Sequence, residues 1–112
     1  MRLEHMKCKP CEGGVKKMQM SAARRYMPMV KGWKLGKDKI STDKKFKDFR
    51  DAMKFINRVA ALAQSEDHHP DMRLYSWNRV GLELYTHAIG GLSQNDFILA
   101  AKINKMLEKK CS

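Results

Sequence analysis

The apolar positions of residues 48–64 recur with the spacing of an amphipathic helix. Positions i, i+3, i+4 and i+7 share one helix face, and this rule is followed by Phe49, Ala52, Met53, Ile56, Val59, Ala60 and Ala63. Asp48 and Asp51 place negative charge near the helix N-terminus, where the helix dipole favours it. Because the residue before Pro70 is disfavoured in helical conformation, we predict a helix from Asp48 to Gln64 and a junction at "EDHHPD", Glu66 to Asp71.

Two segments alternate apolar and polar residues with the period of a β-strand, and each predicts a pair of strands. In "GWKLGKDKISTDKKFKDF", Trp33 and Leu35 share one face of a first strand, and Ile40 begins or ends a second. In "MRLYSWNRVGLELYTH", residues 72–77 and 80–85 alternate. We predict that Asn78-Arg79 forms the turn between two antiparallel strands.

Two more helices complete the pattern. Ser21 to Val30 has helical spacing, although Pro28 limits how far this helix extends without a kink. In "SQND", Ser93 is the predicted N-cap of a final helix and Asp96 the N3 carboxylate that bonds back to it. The apolar face then continues through Phe97, Ala100, Ala101, Asn104 and Leu107.

The resulting order is helix, two strands, helix, two strands, helix. It predicts an α+β fold with a four-stranded, mainly antiparallel sheet and three helices packed on one face. We divide the chain into an irregular basic lead-in, residues 1–17, and a single domain, residues 18–112.

The net charge of +11 is unevenly distributed along the 112 residues. Residues 1–50 carry 15 Lys/Arg against 5 Asp/Glu, and residues 51–112 carry 8 against 7. The basic residues occur singly and in pairs without a pattern of stacking aromatics, so a solvated basic face is favoured over nucleic-acid binding. The sequence also lacks the roughly 20-residue apolar run of a membrane span and the apolar stretch of a signal peptide. We expect a cytoplasmic protein, or one that is nuclear as well.

The three cysteines leave several interpretations open. Cys8 and Cys11 form a CxxC pair before Gly13-Gly14, and Cys111 lies at the far end. A structural zinc normally has four ligands, and only His5 offers a third near the pair. A zinc site and a reversible redox pair therefore remain alternatives to a reduced tail, which we favour.

The predicted layout brings three of the four histidines together. His68 and His69 precede the third strand and His87 follows the fourth, so neighbouring antiparallel strands would gather them near Asp67 and Asp96. Adjacent side chains point in different directions on an extended chain, which makes a shared metal ion awkward. General acid–base catalysis fits better, because histidine titrates near pH 6.5. A polar junction with a capping aspartate and surface histidines remains the alternative.

The spacing of these residues resembles that of the pterin-4a-carbinolamine dehydratase family. His68-His69-Pro70 is followed by six residues to Trp77, nine to His87 and eight to Asp96. The flanking blocks "GW", "FKDF", "FINRVA" and "THAIGGLSQNDFILAAKI" are similar to those of the family, and "CKPCEGG" resembles the lead-in of a plant-type subgroup. The resemblance extends from about residue 8 to the C-terminus.

The resemblance implies a lyase that dehydrates 4a-hydroxytetrahydropterin to quinonoid dihydropterin in tetrahydrobiopterin recycling. It implies His69 as the principal acid–base residue, with His68 and His87 assisting and no metal or other cofactor. The substrate-binding candidates are Glu66, Asp67, Pro70, Thr86 and Asp96. A dimer or tetramer is also implied. The family includes dimerisation cofactors of a transcription factor, so a non-catalytic interaction module with a protein partner is the alternative function.

Two positions depart from the family pattern. Gln64 stands where many members have a glutamate, so either Glu66 substitutes for that group or the contact is only a hydrogen bond. Asn95 stands where some animal members have an arginine. Neither change alters the three histidines.

Overall fold

A computed structural model describes residues 2–9 and 16–108, and its elements follow the predicted order. The helices and strands are α1 (Met20–Tyr26), β1 (Lys34–Leu35), β2 (Ile40–Lys45), α2 (Phe49–Glu66), β3 (Asp71–Tyr75), β4 (Arg79–Leu84) and α3 (Gln94–Glu108). Short 3-10 turns lie at Leu3–His5, Met27–Met29 and His87–Ile89. Pro28 stands in the second of these turns, directly after α1.

The four strands form one antiparallel sheet in the order β1-β2-β4-β3. Along β4, Val80, Leu82 and Leu84 are buried, whereas the alternate residues are only partly covered. This alternation confirms a sheet with one face packed on the helices and the other open. The β3–β4 pairing aligns Asp71 with Glu83. It therefore brings the chain before β3 beside the chain after β4, as predicted for the histidines.

Helix α2 begins as predicted, but its buried face differs from the predicted one. The Asp48 carboxylate accepts a hydrogen bond from the Asp51 N–H at 2.8 Å, and the helix continues to Glu66. Its buried residues are Ala52, Phe55, Val59 and Ala63. Phe49 is 52% exposed because a first-turn side chain points back beyond the helix N-terminus, away from the sheet.

The predicted turn at Asn78-Arg79 is wrong by about two residues. Arg79 pairs with Tyr75 inside the sheet, and the loop is formed by residues 76–78, with positive φ at Ser76 (48°) and Trp77 (53°). The Asn78 side-chain amide donates to the Phe46 carbonyl at 2.8 Å. Asn78 is therefore held by the segment before α2 and is the last residue of the loop, so that Arg79 begins β4.

Residues 2–9 are less irregular than predicted. Leu3 is 2% exposed and belongs to the hydrophobic core, and its 3-10 turn contacts α3. The boundary at residue 17 stays a prediction, as do the alternatives for the CxxC pair, since Cys11 and Cys111 lie outside the described residues. Within the described ranges, no helix is long and apolar enough to cross a membrane.

Candidate active site

A buried histidine–aspartate pair lies between the end of α2 and the start of α3. Nε2 of His68 is 2.7 Å from Oδ1 of Asp96, and the two residues are 4% and 0% exposed. A carboxylate only accepts hydrogen bonds, so Nε2 of His68 is the donor in this bond. Among the described residues, every buried side-chain N or O atom has a hydrogen-bond partner.

The second oxygen of Asp96 is fixed by two further donors. Oδ2 accepts the Ser93 N–H at 2.9 Å and the Thr86 hydroxyl at 3.0 Å. Thr86 Oγ1 in turn accepts the Ser93 hydroxyl at 2.7 Å. The bond from Ser93 N–H confirms the predicted return bond of the helix cap. Three donors therefore hold Asp96 as an oriented carboxylate.

The backbone that presents His68 is a Schellman motif at the end of α2. Asp67 adopts the left-handed conformation (φ 52°), its N–H bonds the Gln64 carbonyl, and the His68 N–H bonds the Ala63 carbonyl at 3.1 Å. This cap turns His68 inward, whereas the Asp67 side chain is exposed. Pro70 is half-buried between this cap and β3.

His69 points away from His68, as its adjacent position predicts. It is exposed, and its Nε2 lies 3.1 Å from Oε1 of Gln64. An amide oxygen accepts but does not donate, so Nε2 of His69 is the donor in this bond. Gln64 therefore orients His69 by a hydrogen bond, without supplying charge.

His87 is the third histidine that the fold brings to this end of the sheet. It follows the buried Thr86 and begins the 3-10 turn His87–Ile89, which is capped by Gly90, whose φ of 63° favours glycine. The His87 ring is exposed and stacks on Tyr85, with centroids 4.2 Å apart and planes inclined by 27°. Two exposed imidazoles and one buried imidazole thus lie around the ends of β3 and β4.

Glu66 is engaged away from these imidazoles. One oxygen accepts the Cys8 N–H at 2.9 Å, and the other lies 2.9 Å from Nζ of Lys102. Burial alone would raise the pKa of Glu66, but the Cys8 N–H and the Lys102 ammonium outweigh it, and the pKa lies below its ordinary value. Both oxygens have partners, so we do not include Glu66 among the proposed substrate ligands.

Trp77, the aromatic residue of the family spacing, lies apart from the histidines. Trp77 is 61% exposed in the β3–β4 loop, at the opposite end of β3 from His69, about 16 Å away by strand length. A concavity of about 610 Å³ lies on the open face of the sheet, and none of the histidines lines it. The three imidazoles, which are the side chains able to transfer a proton near neutral pH, therefore lie outside that concavity. In the described ranges no three His, Cys, Asp or Glu residues form a metal-binding group.

Two contributors to the site were missed in the sequence. The Ser93 hydroxyl supports Thr86, although Ser93 was predicted only as a helix cap. Tyr85 was assigned to the alternation of a strand, and its stacking on His87 depends on the 3-10 turn after Thr86. The spacing of Tyr85 and His87, two residues apart, was the one available signal.

The chain is similar to known proteins along most of its length. A sequence model described as pterin 4 alpha carbinolamine dehydratase matches residues 16–106. A putative pterin-4-alpha-carbinolamine dehydratase of Nitrosomonas europaea is 47% identical over 95% of this chain and 94% of its own. The mitochondrial pterin-4-alpha-carbinolamine dehydratase 2 of Arabidopsis thaliana is 44% identical over 93% of this chain and 58% of its own.

The fold of this chain matches that of a solved structure. It is a transcriptional coactivator/pterin dehydratase from Brucella melitensis, 31% identical, with a TM-score of 0.75 over 81% of this chain and 98% of that one. The match of the family model over most of the sequence, the identity to the relatives and the shared fold establish that this chain belongs to the pterin-4-alpha-carbinolamine dehydratase family.

Proposed function

We propose that this chain dehydrates 4a-hydroxytetrahydropterin to quinonoid dihydropterin, as a hydro-lyase of tetrahydrobiopterin recycling. The observation that carries this proposal is the buried His68–Asp96 pair beside the exposed rings of His69 and His87. Family membership supports the substrate class. In the reaction the C4a–O bond breaks, the hydroxyl leaves with an added proton as water, and loss of the N5 proton allows a C4a=N5 bond to form. No electrons are exchanged with another reactant.

The geometry supports distinct roles for the three histidines. His69 is exposed and its ring is oriented by Gln64, so we assign it the principal proton transfer. The exposed His87 assists from the end of β4, and His68, held by Asp96, assists from its buried position. Asp96 acts by orienting His68. Thr86 acts through Asp96, and Asp67 and Pro70 border the same surface.

The direct test is dehydration of freshly generated 4a-hydroxytetrahydropterin, followed by ultraviolet absorbance. We expect the wild type to exceed the buffer rate, and His69→Ala to lose about 10²–10⁴-fold in kcat, the usual contribution of a positioned acid or base. His5→Ala is the matched control, because His5 is exposed and is the remaining histidine outside the cluster. A wild type no faster than buffer would reject the enzyme assignment.

A second candidate function is an interaction module without catalysis. It is favoured by the structural relative from Brucella melitensis, which is described as a transcriptional coactivator as well as a pterin dehydratase. An interaction role without catalysis predicts that the wild type dehydrates the pterin no faster than buffer, and that His69→Ala leaves capture of a protein partner unchanged. Nucleic-acid binding, which we disfavour, would weaken steeply with salt, whereas affinity for a neutral pterin would not.

We also propose that the chain forms a dimer or tetramer through its sheet edges and helices. In the order β1-β2-β4-β3, strand β3 is an edge strand of five residues with one unpaired side, a surface that self-association commonly covers. Sedimentation equilibrium should give two or four times the chain mass, and the mass of a single chain would reject the proposal. We expect a cytoplasmic or additionally nuclear location, which fractionation with an antibody would test.

A further inference from the structure

Residues Lys7–Lys9, here called the N-terminal strap, connect the end of α2 to the start of α3. These are the two helix ends beside the buried His68–Asp96 pair. The strap lies outside the segment matched by the family model, which begins at residue 16. Cys8 donates its backbone N–H to Glu66 at 2.9 Å, and Lys9 donates its N–H to Oδ1 of Asn95 at 2.8 Å. Leu3, buried against α3, anchors the chain just before the strap.

The contact with Asn95 is bonded in both directions. Oδ1 of Asn95 accepts the Lys9 N–H, and Nδ2 donates to the Lys9 carbonyl at 2.7 Å. Asn95 therefore pairs with the Lys9 backbone much as a neighbouring strand would. Cys8 Sγ also lies 3.6 Å from the Asn95 carbonyl. Asn95 is 2% exposed whereas Lys9 is exposed, so these bonds are partly shielded from competing water.

The strap bonds two residues, Glu66 and Asn95, that lie one or two positions along the chain from the His68–Asp96 pair. Glu66 is the last residue of α2 and precedes His68 by two positions, and Asn95 directly precedes Asp96. Lys102, on α3, pairs with the same Glu66 carboxylate at 2.9 Å. The strap and this ion pair thus fix the end of α2 to the first turns of α3.

We propose that Asn95 and Glu66 are positioning residues, which act through the N-terminal strap to hold His68 against Asp96 in the geometry that dehydration needs. The proposal rests on the proposed function. Catalytic groups must be held within a fraction of an ångström, and a displacement of about 1 Å can cost on the order of 10²-fold in rate. The strap touches no proposed proton-transfer group, so its effect on rate is indirect.

Cys8 provides a reporter of strap docking that is independent of turnover. Burial, followed by the charge of Glu66, raises the pKa of the Cys8 thiol to about 12, so the docked thiol is unreactive near pH 8. Release of the strap would expose the thiol and speed its alkylation. Cys11→Ser and Cys111→Ser in the parent remove the other two thiols.

The experiment compares Asn95→Ala with Asn57→Ala, a matched change at an exposed residue of α2. For Asn95→Ala we expect iodoacetamide to modify Cys8 about tenfold faster and kcat to fall about tenfold, with KM within about twofold. The low-field proton resonance of the His68–Asp96 hydrogen bond should weaken. Glu66→Gln, nearly isosteric, should act in the same direction, and Asn57→Ala should match the parent.

Two results would overturn the proposal. One is fast Cys8 alkylation with unchanged kcat and an unchanged His68 resonance. Release of the strap would then leave both the rate and the His68–Asp96 hydrogen bond as they were, so the strap would not position the pair. The other is a lower kcat with Cys8 still protected, because Asn95 would then act without the strap. If the parent itself shows no dehydration, the proposed function fails, and the Cys8 rate and the His68 resonance still decide whether the strap positions the pair.

Discussion

Nε2 of His68 and Oδ1 of Asp96 lie 2.7 Å apart in a part of the protein from which water is almost completely excluded. The pair joins residues 28 positions apart and links the end of α2 to the start of α3. An oriented carboxylate fixes both the ring orientation and the tautomer of the imidazole it accepts from. The arrangement makes His68 a structural as well as a chemical group.

Asp96→Asn is expected to destabilise the fold and to lower turnover. The amide retains one oxygen, but its NH2 group replaces the other. One side of Asp96, either that of His68 or that of Thr86 and Ser93, then loses its hydrogen-bond acceptor. A buried donor left without its acceptor costs about 1–3 kcal/mol. Urea unfolding measures the loss of stability. Gln94→Ala, at a half-buried neighbouring position, is the control, and an Asp96→Asn variant as stable as the wild type would contradict the burial argument.

Substitution of the adjacent histidines is expected to separate stability from activity. His68→Gln should lower the free energy of unfolding by about 1–3 kcal/mol, because it disturbs a buried charged hydrogen bond. His69→Gln should change it by no more than about 0.5 kcal/mol, since the ring is exposed, yet should abolish most turnover. Thermal melts and kcat of both variants provide the measurement. Equal destabilisation by the two changes would argue against the opposite orientations of the rings.

Glu66 is expected to make stability depend on acid pH. Its native pKa lies below the ordinary value of 4.5, so the unfolded chain binds the proton more readily. The contribution is present above about pH 4.5 and is lost as pH falls through the lowered native pKa. The stability difference between wild type and Glu66→Gln should be on the order of 1–2 kcal/mol near neutrality.

That difference should shrink as the buffer is taken from neutral pH to well below the ordinary glutamate pKa. Glu108→Gln, an exposed glutamate at the end of α3, is the control and should leave the acid dependence as in the wild type. A constant difference across the range would mean that the Glu66 carboxylate is not stabilised by Cys8 and Lys102.

Tyr85 is expected to support His87 by stacking. Tyr85→Phe keeps the ring and should preserve turnover, whereas Tyr85→Leu should reduce kcat several-fold, because aromatic pairs contribute about 0.5–1.5 kcal/mol beyond their buried area. The aromatic ring-current shift in the His87 proton spectrum reports the stack directly. Loss of that shift without any change in kcat would remove Tyr85 from the site.

Much of the fold could be predicted because the signals are local. Helix α2 follows from apolar spacing and the Asp48 cap, β4 from strict alternation, and the start of α3 from the bond between Ser93 and Asp96. The location of the histidines at strand ends followed from the same pattern. The prediction failed at the loop of residues 76–78, because Asn78 is held by Phe46, 32 residues away.

The sequence by itself determined the element order, the antiparallel sheet and the set of polar residues near its end, since periodicity and capping act over a few residues. Tertiary structure decided which histidine is buried, that Asp96 bonds His68, and that Glu66 turns to Cys8 and Lys102. These choices depend on contacts between residues 28 to 58 positions apart, and on which side chain loses its water when α2, α3 and the N-terminal strap pack together.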